Sequence, residues 1–315
     1  MSEGVGPHFS DAVPMTRIRQ HAPALAAVVT TLALAPGVAR AQQGRDQTTF
    51  TWSKRLPAGA LLTILNGSGP ISVREGSGDA VEVRAEKRPR SGGSIRDVAF
   101  DVRESRNGVE ICTLYDGRTS CDDRGSIRNM RVPVEYTVSI PRSTRLKVAT
   151  GNGAVSIERA GAEVSASTGN GPVTIGETDG RVDANTGNGD VQVNGANGPV
   201  SANTGSGRIT VVTARGAVDA NTGSGEIDVR IGSTPIEGSL RFNSGSGAIR
   251  LTLPPDFNGR IDASSGNGTL RSDFEISVIG RFDAQHIRGT IGHGSAGPVI
   301  RMSTGNGTIE LRKGT

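Results

Sequence analysis

A four-residue turn motif recurs every 18 residues through the middle of this 315-residue chain. Each copy reads Thr-Gly-Asn-Gly or Thr-Gly-Ser-Gly, and the copies begin at Thr150, Thr168, Thr186, Thr204 and Thr222. A strict period of this length is typical of a stacked repeat architecture, in which each repeat is one structural unit. No other feature of the sequence constrains the fold so strongly.

Apolar and polar residues alternate on both sides of each turn motif. A period of two predicts β-strands that turn one side to the core and the other to water. We therefore predict an all-β protein, a β-solenoid (β-helix) of 18-residue rungs with two strands and two corners each. Equivalent strands should stack in parallel and in register, roughly 4.8 Å apart. The predicted inward residues are Val155, Ile157, Val173, Ile175, Val191, Val193, Ile209, Val211, Ile227, Val229, Ile249, Leu251, Ile309 and Leu311 after the motif, and Val164, Ala166, Val182, Ala184, Val200, Ala202, Val218, Ala220, Leu240, Phe242, Ile261, Ala263, Ile300 and Met302 before it.

Glycine also marks the second corner of five rungs, six residues before the first residue of the motif. Because glycine suits a corner that needs a positive φ, we predict that conformation there. These glycines are Gly180, Gly198, Gly216, Gly238 and Gly259.

The period lengthens towards the C-terminus, where extra residues at 231–237 and 253–258 widen the corner loops. A degenerate rung is predicted next, with Phe282, Ala284 and His286 in the apolar, alanine and threonine places.

Three segments precede or form the solenoid. Residues 1–41 are predicted to be a signal peptide with Met15 as its start, because basic residues, an apolar run and Ala39-Arg40-Ala41 follow one another. Residues 42–149 form an N-terminal β segment that opens with a polar lead-in at 42–55 and carries an insertion at 86–131. Residues 150–313 are the regular repeats. The apolar run is short for a membrane span, so none is expected after signal removal.

The insertion at 86–131 breaks the repeat and contains both cysteines of the chain. It is expected to be a non-repetitive cap, since an open solenoid end exposes unpaired strand edges. Cys112 and Cys121 are nine residues apart, which in an exported protein predicts one disulfide. A metal site in which Asp116, Asp122 and Asp123 flank the pair is the alternative.

The polar residues of the repeats show little convergence into a reactive cluster. The threonine column is either a flat ligand-binding face or a set of corner hydroxyls bonded to the backbone, and we favour the second. Asp183 and Asp219 share an outward column two rungs apart, roughly 9.6 Å, near the upper limit for an inverting glycosidase pair. No aromatic sugar platform accompanies them, so we interpret them as surface carboxylates. His286 and His293, with Asp283, are likewise interpreted as corner residues and not as a metal site.

The repeated Thr-Gly-Asn-Gly-x-Val-x-Val pattern, behind an exported N-terminal segment, resembles the bacterial family of proposed adhesins known as DUF4097. The resemblance covers roughly residues 48–313. It implies a β-solenoid on the cell envelope or outside the cell, and it supplies no catalytic residues.

Charge and composition narrow the function further. Aromatic residues make up 3% of the chain, and the net charge of +4 is spread among alternating signs, which is not the footprint of a nucleic-acid-binding protein. We predict an exported, non-enzymatic adhesin or envelope-surface interaction module, without cofactor or metal, in the periplasm, on the cell surface or outside the cell. Its partner is unknown, a cell-surface polysaccharide or protein being expected. The alternatives are a carbohydrate-active β-helix enzyme, and an envelope stress or signalling module that acts through residues 86–131.

Overall fold

The computed structural model describes residues 44–121, 130–214, 216–278, 285–292 and 297–314. Within these ranges the regular structure is β-strand apart from a 3₁₀ turn at Ile95–Asp97. None of the helical structure in these ranges is long and apolar enough to cross a membrane.

The strands before the regular repeats are β1 (Thr49–Arg55), β2 (Leu61–Ser68), β3 (Ile71–Glu75), β4 (Ala80–Lys87), β5 (Val98–Ser105), β6 (Gly108–Tyr115) and β7 (Val134–Ile140). The repeats contain β8 (Arg145–Asn152), β9 (Val155–Ala160), β10 (Val164–Asn170), β11 (Val173–Thr178), β12 (Val182–Asn188), β13 (Val191–Ala196), β14 (Val200–Ser206), β15 (Ile209–Thr213), β16 (Val218–Ser224), β17 (Ile227–Ile231), β18 (Leu240–Ser246) and β19 (Ile249–Leu253). The last strands are β20 (Gly259–Asn267), β21 (Leu270–Ser272), β22 (Ile276–Val278), β23 (His286–Ile291), β24 (Val299–Asn306) and β25 (Ile309–Lys313).

The repeats build two facing parallel sheets, and each rung gives one strand to each sheet. Sheet A contains the even-numbered strands from β8 to β18, and sheet B contains the odd-numbered strands from β9 to β19. Neighbouring strands are in register, with Val164 opposite Val182 and Thr168 opposite Thr186. All of the predicted inward residues are buried between the sheets. The prediction of a two-strand, 18-residue β-solenoid is therefore confirmed.

The order of the rungs departs from chain order at the C-terminal end. β24 lies between β18 and β20, and β25 lies between β19 and β21. The last rung of the sequence is thus inserted inside the stack, and its Met302 lies opposite Phe242. The two bulky side chains fill neighbouring places in the core, where the regular repeats have alanine.

The predicted degenerate rung at His286 is wrong. β23 runs antiparallel to β20, with His286 opposite Ser264, and it also pairs antiparallel with β22. An alternating pattern specifies which side of a strand is buried but not the direction in which the strand runs, so the misassignment has a physical cause. Phe282 and Ala284 lie outside the described residues.

The N-terminal end of the stack is also out of chain order. The rung of β2 and β3 lies against β8 and β9, and the strands β4 to β7 lie beyond it. β5 and β6 form an antiparallel hairpin at the edge of sheet A. The predicted polar lead-in at 42–55 is wrong in its second half, because β1 pairs with β4 and buries Phe50 against Phe100, with ring centroids 4.5 Å apart.

A buried lysine holds this end together. The ammonium group of Lys87 donates hydrogen bonds to the carbonyl oxygens of Gly44, Ile95 and Val98 at 2.7 Å and of Arg45 at 3.1 Å. Burial lowers the pKa of Lys87 to about 8. One side chain therefore joins the start of the described chain to the 3₁₀ turn and to β5.

The second-corner glycines have a different cause from the predicted one. Only Gly238 has a positive φ, 96°, so the prediction is wrong at the other four positions. At Gly198 an added Cβ would lie 2.5 Å from the carbonyl oxygen of Gly180 in the rung below. Close stacking of successive corners, more than backbone conformation, excludes a side chain there.

Candidate functional site

The repeat threonines lie inside the first corners and not on an open face. Their side chains are between 5% and 7% exposed. The hydroxyl of Thr168 donates to the carbonyl oxygen of Gly153 in the neighbouring rung at 2.9 Å, and that of Thr186 donates to Gly171 at 2.9 Å. The same bond joins Thr150 to Gly69, Thr204 to Gly189 and Thr222 to Gly207. These hydroxyls link rungs and are not available to a ligand.

Cys112 and Cys121 are joined by a disulfide, with their Cα atoms 5.8 Å apart. The bond closes a loop over the outer face of sheet A, where Cys112 packs with Ala99 and Leu114 in a small apolar cluster. Bonded sulfurs are not thiolates, the form that binds metals. Asp116, one of the three carboxylates of the alternative metal site, is exposed, and the other two, Asp122 and Asp123, lie outside the described residues.

The other polar candidates are not brought together. Asp183 forms an ion pair with Arg181 at 3.0 Å, and Asp219 accepts a hydrogen bond from Asn221 at 2.7 Å. His286 lies 2.9 Å from Asp262. Asp283 and His293 lie outside the described residues, so the predicted grouping of these two with His286 has no described geometry.

A groove of about 390 Å³ follows the second corners in the middle of the solenoid. This volume lies in the range typical of small-ligand sites, about 300–1,000 Å³. We call it the corner groove, and its lining consists of Arg142, Arg159, Ala160, Glu177, Thr178, Asp179, Gly195, Ala196, Asn197, Val212, Thr213, Ala214 and Gly232.

The groove arises where the repeat loses its large side chains. One outward column runs through β9, β11 and β13 and consists of Arg159, Glu177 and Gly195. Its first two members have long side chains and the third has none, which leaves space above the glycine. The register shifts between β13 and β15 at the same level. Val212 of β15 lies within the shift and is 38% exposed, and it gives the groove an apolar surface.

Opposite charges line the rim of the corner groove. Arg159 pairs with Glu177 at 2.5 Å, and Arg142 pairs with Asp179. Asp179 also accepts a hydrogen bond from the Asn197 amide at 3.0 Å. The hydrogen bonds from Arg142 and then from Asn197 lower the pKa of Asp179, and the bond with Asp179 raises the pKa of Arg142. Asp179 is therefore ionised at neutral pH and is poorly suited to act as a general acid.

The corner groove is not among the predictions from the sequence, although the sequence contains one feature that could have indicated it. The column Arg159, Glu177, Gly195 changes from charged to glycine within the regular repeats.

The widened loops, which the sequence does indicate, contact one another, because the Thr234 hydroxyl donates to Asp256 at 2.7 Å. Phe257, on the second of these loops, packs edge-on against Phe274, with centroids 6.4 Å apart.

Comparisons with known proteins place the chain in a family. Among solved structures, it is similar to a proposed cell adhesion protein from Clostridium sporogenes at 12% identity, with a TM-score of 0.29, over 84% of this chain and 100% of that one. It is also similar to a proposed adhesin from Bacteroides fragilis at 14% identity, with a TM-score of 0.45, over 84% of this chain and 96% of that one. A search of curated proteins found no match. The profile of the family described as Toastrack DUF4097 matches residues 62–312, and the chain belongs to that family.

Proposed function

We propose that this chain is an extracytoplasmic, non-enzymatic adhesin module that binds a ligand of the cell surface in the corner groove. The observation that carries the proposal is the groove itself. It is a ligand-sized hollow at a place where the regular repeat changes, and the acidic groups on its rim are held in ion pairs. The expected ligand is a polysaccharide or a protein of the envelope.

The lining of the corner groove suits recognition. The small residues Gly195 and Ala214 leave room for a ligand, while Asn197 and the paired charges offer donors and acceptors. Ligand sites commonly combine an apolar surface with a few placed polar groups. The disulfide between Cys112 and Cys121 supports a location in an oxidising compartment.

Filling the groove tests the proposal. Gly195 tolerates a side chain, because its φ is not positive and an added Cβ would have Glu177 Cγ as its nearest neighbour, at 3.5 Å. Gly195→Gln should therefore block the groove and preserve the fold. Gly78→Gln is the matched control, since a Cβ at Gly78 meets nothing within 4 Å and Gly78 is not part of the groove.

Binding to isolated cell envelopes and to purified envelope polysaccharides should be measured with labelled protein. We expect wild type and Gly78→Gln to bind alike and Gly195→Gln to lose at least about tenfold in affinity, the equivalent of 1.4 kcal/mol. Equal binding by both variants would remove the groove from the proposal. Glycan breakdown by the purified protein, abolished by one carboxylate substitution, would favour the carbohydrate-active enzyme instead.

We also propose that the protein is exported and that its signal peptide is removed. We propose that residues 1–41 are removed, that 42–149 and 150–313 remain as one mature chain, and that Met15 is the start of translation. The mass of the mature protein, together with cell fractionation and protease treatment of intact cells, tests each point. A full-length chain in the cytoplasm would contradict the proposal.

A further inference from the structure

Two arginines are brought face to face by the out-of-order insertion of β24. Arg241 of β18 lies directly opposite Arg301 of β24 on the outer face of sheet A. Adjacent strands lie about 4.8 Å apart, so the two side chains start from neighbouring positions. Both residues are exposed. A stack in chain order would not have made them neighbours.

Like charges directly opposite one another on adjacent strands destabilise a sheet. The described strands contain two such pairs, Glu86 with Glu135 and Arg241 with Arg301. The acidic pair is bridged within the chain, since Arg88 contacts Glu86 at 3.0 Å and Glu135 at 3.2 Å. The structure therefore shows how this protein accommodates a like-charge pair, with one counter-ion that contacts both members.

No carboxylate in the described part of the chain provides such a bridge for Arg241 and Arg301. The next residues in the same row are Asp219 and Asp262, opposite Arg241 and Arg301 respectively. Asp219 accepts from Asn221 at 2.7 Å. Asp262 is occupied by His286 at 2.9 Å and by Arg288 at 2.8 Å. The arginine pair, which lies on parallel strands where the acidic pair lies on antiparallel ones, therefore has no described counter-ion that contacts both members.

We propose that Arg241 and Arg301 bind the carboxylate or phosphate group of an acidic sugar in a surface glycan. Guanidinium groups are planar forks of donors that match carboxylate and phosphate oxygens, and two adjacent forks can hold one anionic group from both sides. The bound anion takes the role that Arg88 plays for the acidic pair.

The neighbours of the arginine pair favour a sugar over a more highly charged polymer. Asp219 and Asp262 lie on either side of the pair, so a ligand with a charge on every unit is repelled, whereas hydroxyl groups can donate to these carboxylates. Asn243 and Ser303 are opposite each other one position further along the same face, and they add an amide and a hydroxyl. A hollow of about 190 Å³ adjoins Arg241, with Ser201 and Ser239 in its lining.

Calorimetric titration at low salt tests the site, with the monosaccharide galacturonate, its neutral methyl ester, galactose 6-phosphate and inorganic phosphate as probes. The variants are Arg241→Gln and Arg301→Gln. Arg208→Gln is the matched control, because this substitution removes the same charge from another exposed arginine. Arg208 is ion-paired with Glu226 at 2.9 Å. We expect the acidic sugars to bind wild type and Arg208→Gln, and to bind each arginine-pair variant at least tenfold more weakly. The neutral ester should not bind.

A second readout needs no knowledge of the natural glycan. Without ligand, Arg301→Gln should raise the melting temperature at low salt because it relieves repulsion with Arg241. Acidic sugars should raise the melting temperature of wild type and leave that of Arg301→Gln unchanged. Equal affinities in Arg301→Gln and Arg208→Gln, or no binding of any acidic probe, would overturn the proposal. If inorganic phosphate bound as tightly as galactose 6-phosphate, the site would recognise the anionic group alone, and the proposal of a sugar ligand would be wrong. Arg241 and Arg301 lie outside the corner groove, so the two proposals can fail separately. Arg301→Gln can leave binding of acidic sugars unchanged while Gly195→Gln weakens binding to cell envelopes, and the opposite result is equally possible.

Discussion

At the scale of single residues, the stability of the solenoid depends on buried polar side chains that donate to backbone carbonyl oxygens of another strand or loop. The corner threonines form such bonds in successive rungs, and Lys87 forms them at the N-terminal end of the stack. Both are buried, and both donate to carbonyl oxygens. A buried carbonyl that loses its donor keeps the cost of desolvation, so these bonds matter more than their number suggests.

Thr186→Val should destabilise the protein by about 1–2 kcal/mol, because it keeps the shape of the side chain and leaves the Gly171 carbonyl without its donor. Urea unfolding measures the change. Thr174→Val is the control, since Thr174 lies on the outward side of β11 between the buried Val173 and Ile175. A loss of the same size in both variants would show that the corner bond has no special role.

Lys87→Met should cost about 3 kcal/mol, because four carbonyl oxygens lose one shared donor. The pH dependence has a defined sign. Burial lowers the pKa of Lys87 to about 8 from the 10.5 of an unperturbed lysine, so between these values the folded state binds fewer protons than the unfolded state. The stability of wild type relative to Lys87→Met should therefore rise from pH 8 to pH 10.5. A flat difference across that window would show that the carbonyl bonds offset the effect of burial.

At the scale of strands, the sequence predicts the regular rungs well and the ends poorly. Alternation identifies the inward residues, and the 18-residue period sets their register, so Val164 and Val182 could be paired on paper. Neither signal states which rung follows which. Rungs with nearly the same inward residues are interchangeable neighbours, and the placement of β24 between β18 and β20 depends on contacts such as Phe242 with Met302. The corner groove depends on a register shift at β15, which also leaves no mark on the period.

Removal of the last rung tests this arrangement. A chain that ends at Pro298 lacks β24 and β25, and β20 then loses its parallel neighbour along nearly its whole length. Hydrogen exchange should show strong loss of protection in β20, and also in β18 on the other side of the gap. In a stack that followed chain order, the loss of the last rung would leave β18 fully paired. Unchanged protection in β18 would contradict the observed order.

At the scale of the whole described molecule, a uniform core carries a surface that is irregular in few places. The corner groove and the arginine pair lie where the repeat changes, at a lost side chain and at an inserted rung. Both features combine residues from different rungs, so no single 18-residue unit contains either. This explains why the composition and motifs of the chain indicate its architecture far better than its ligands.

The out-of-order strands also bear on how such a protein changes length over evolution. Both ends of the stack are closed by strands that leave chain order, while the rungs between β8 and β19 follow it and pair with near-identical neighbours. Duplication or loss of one 18-residue unit in that middle stretch would therefore leave both closures intact. The solenoid can act as a spacer of adjustable length, and a longer or shorter relative would keep the same two ends.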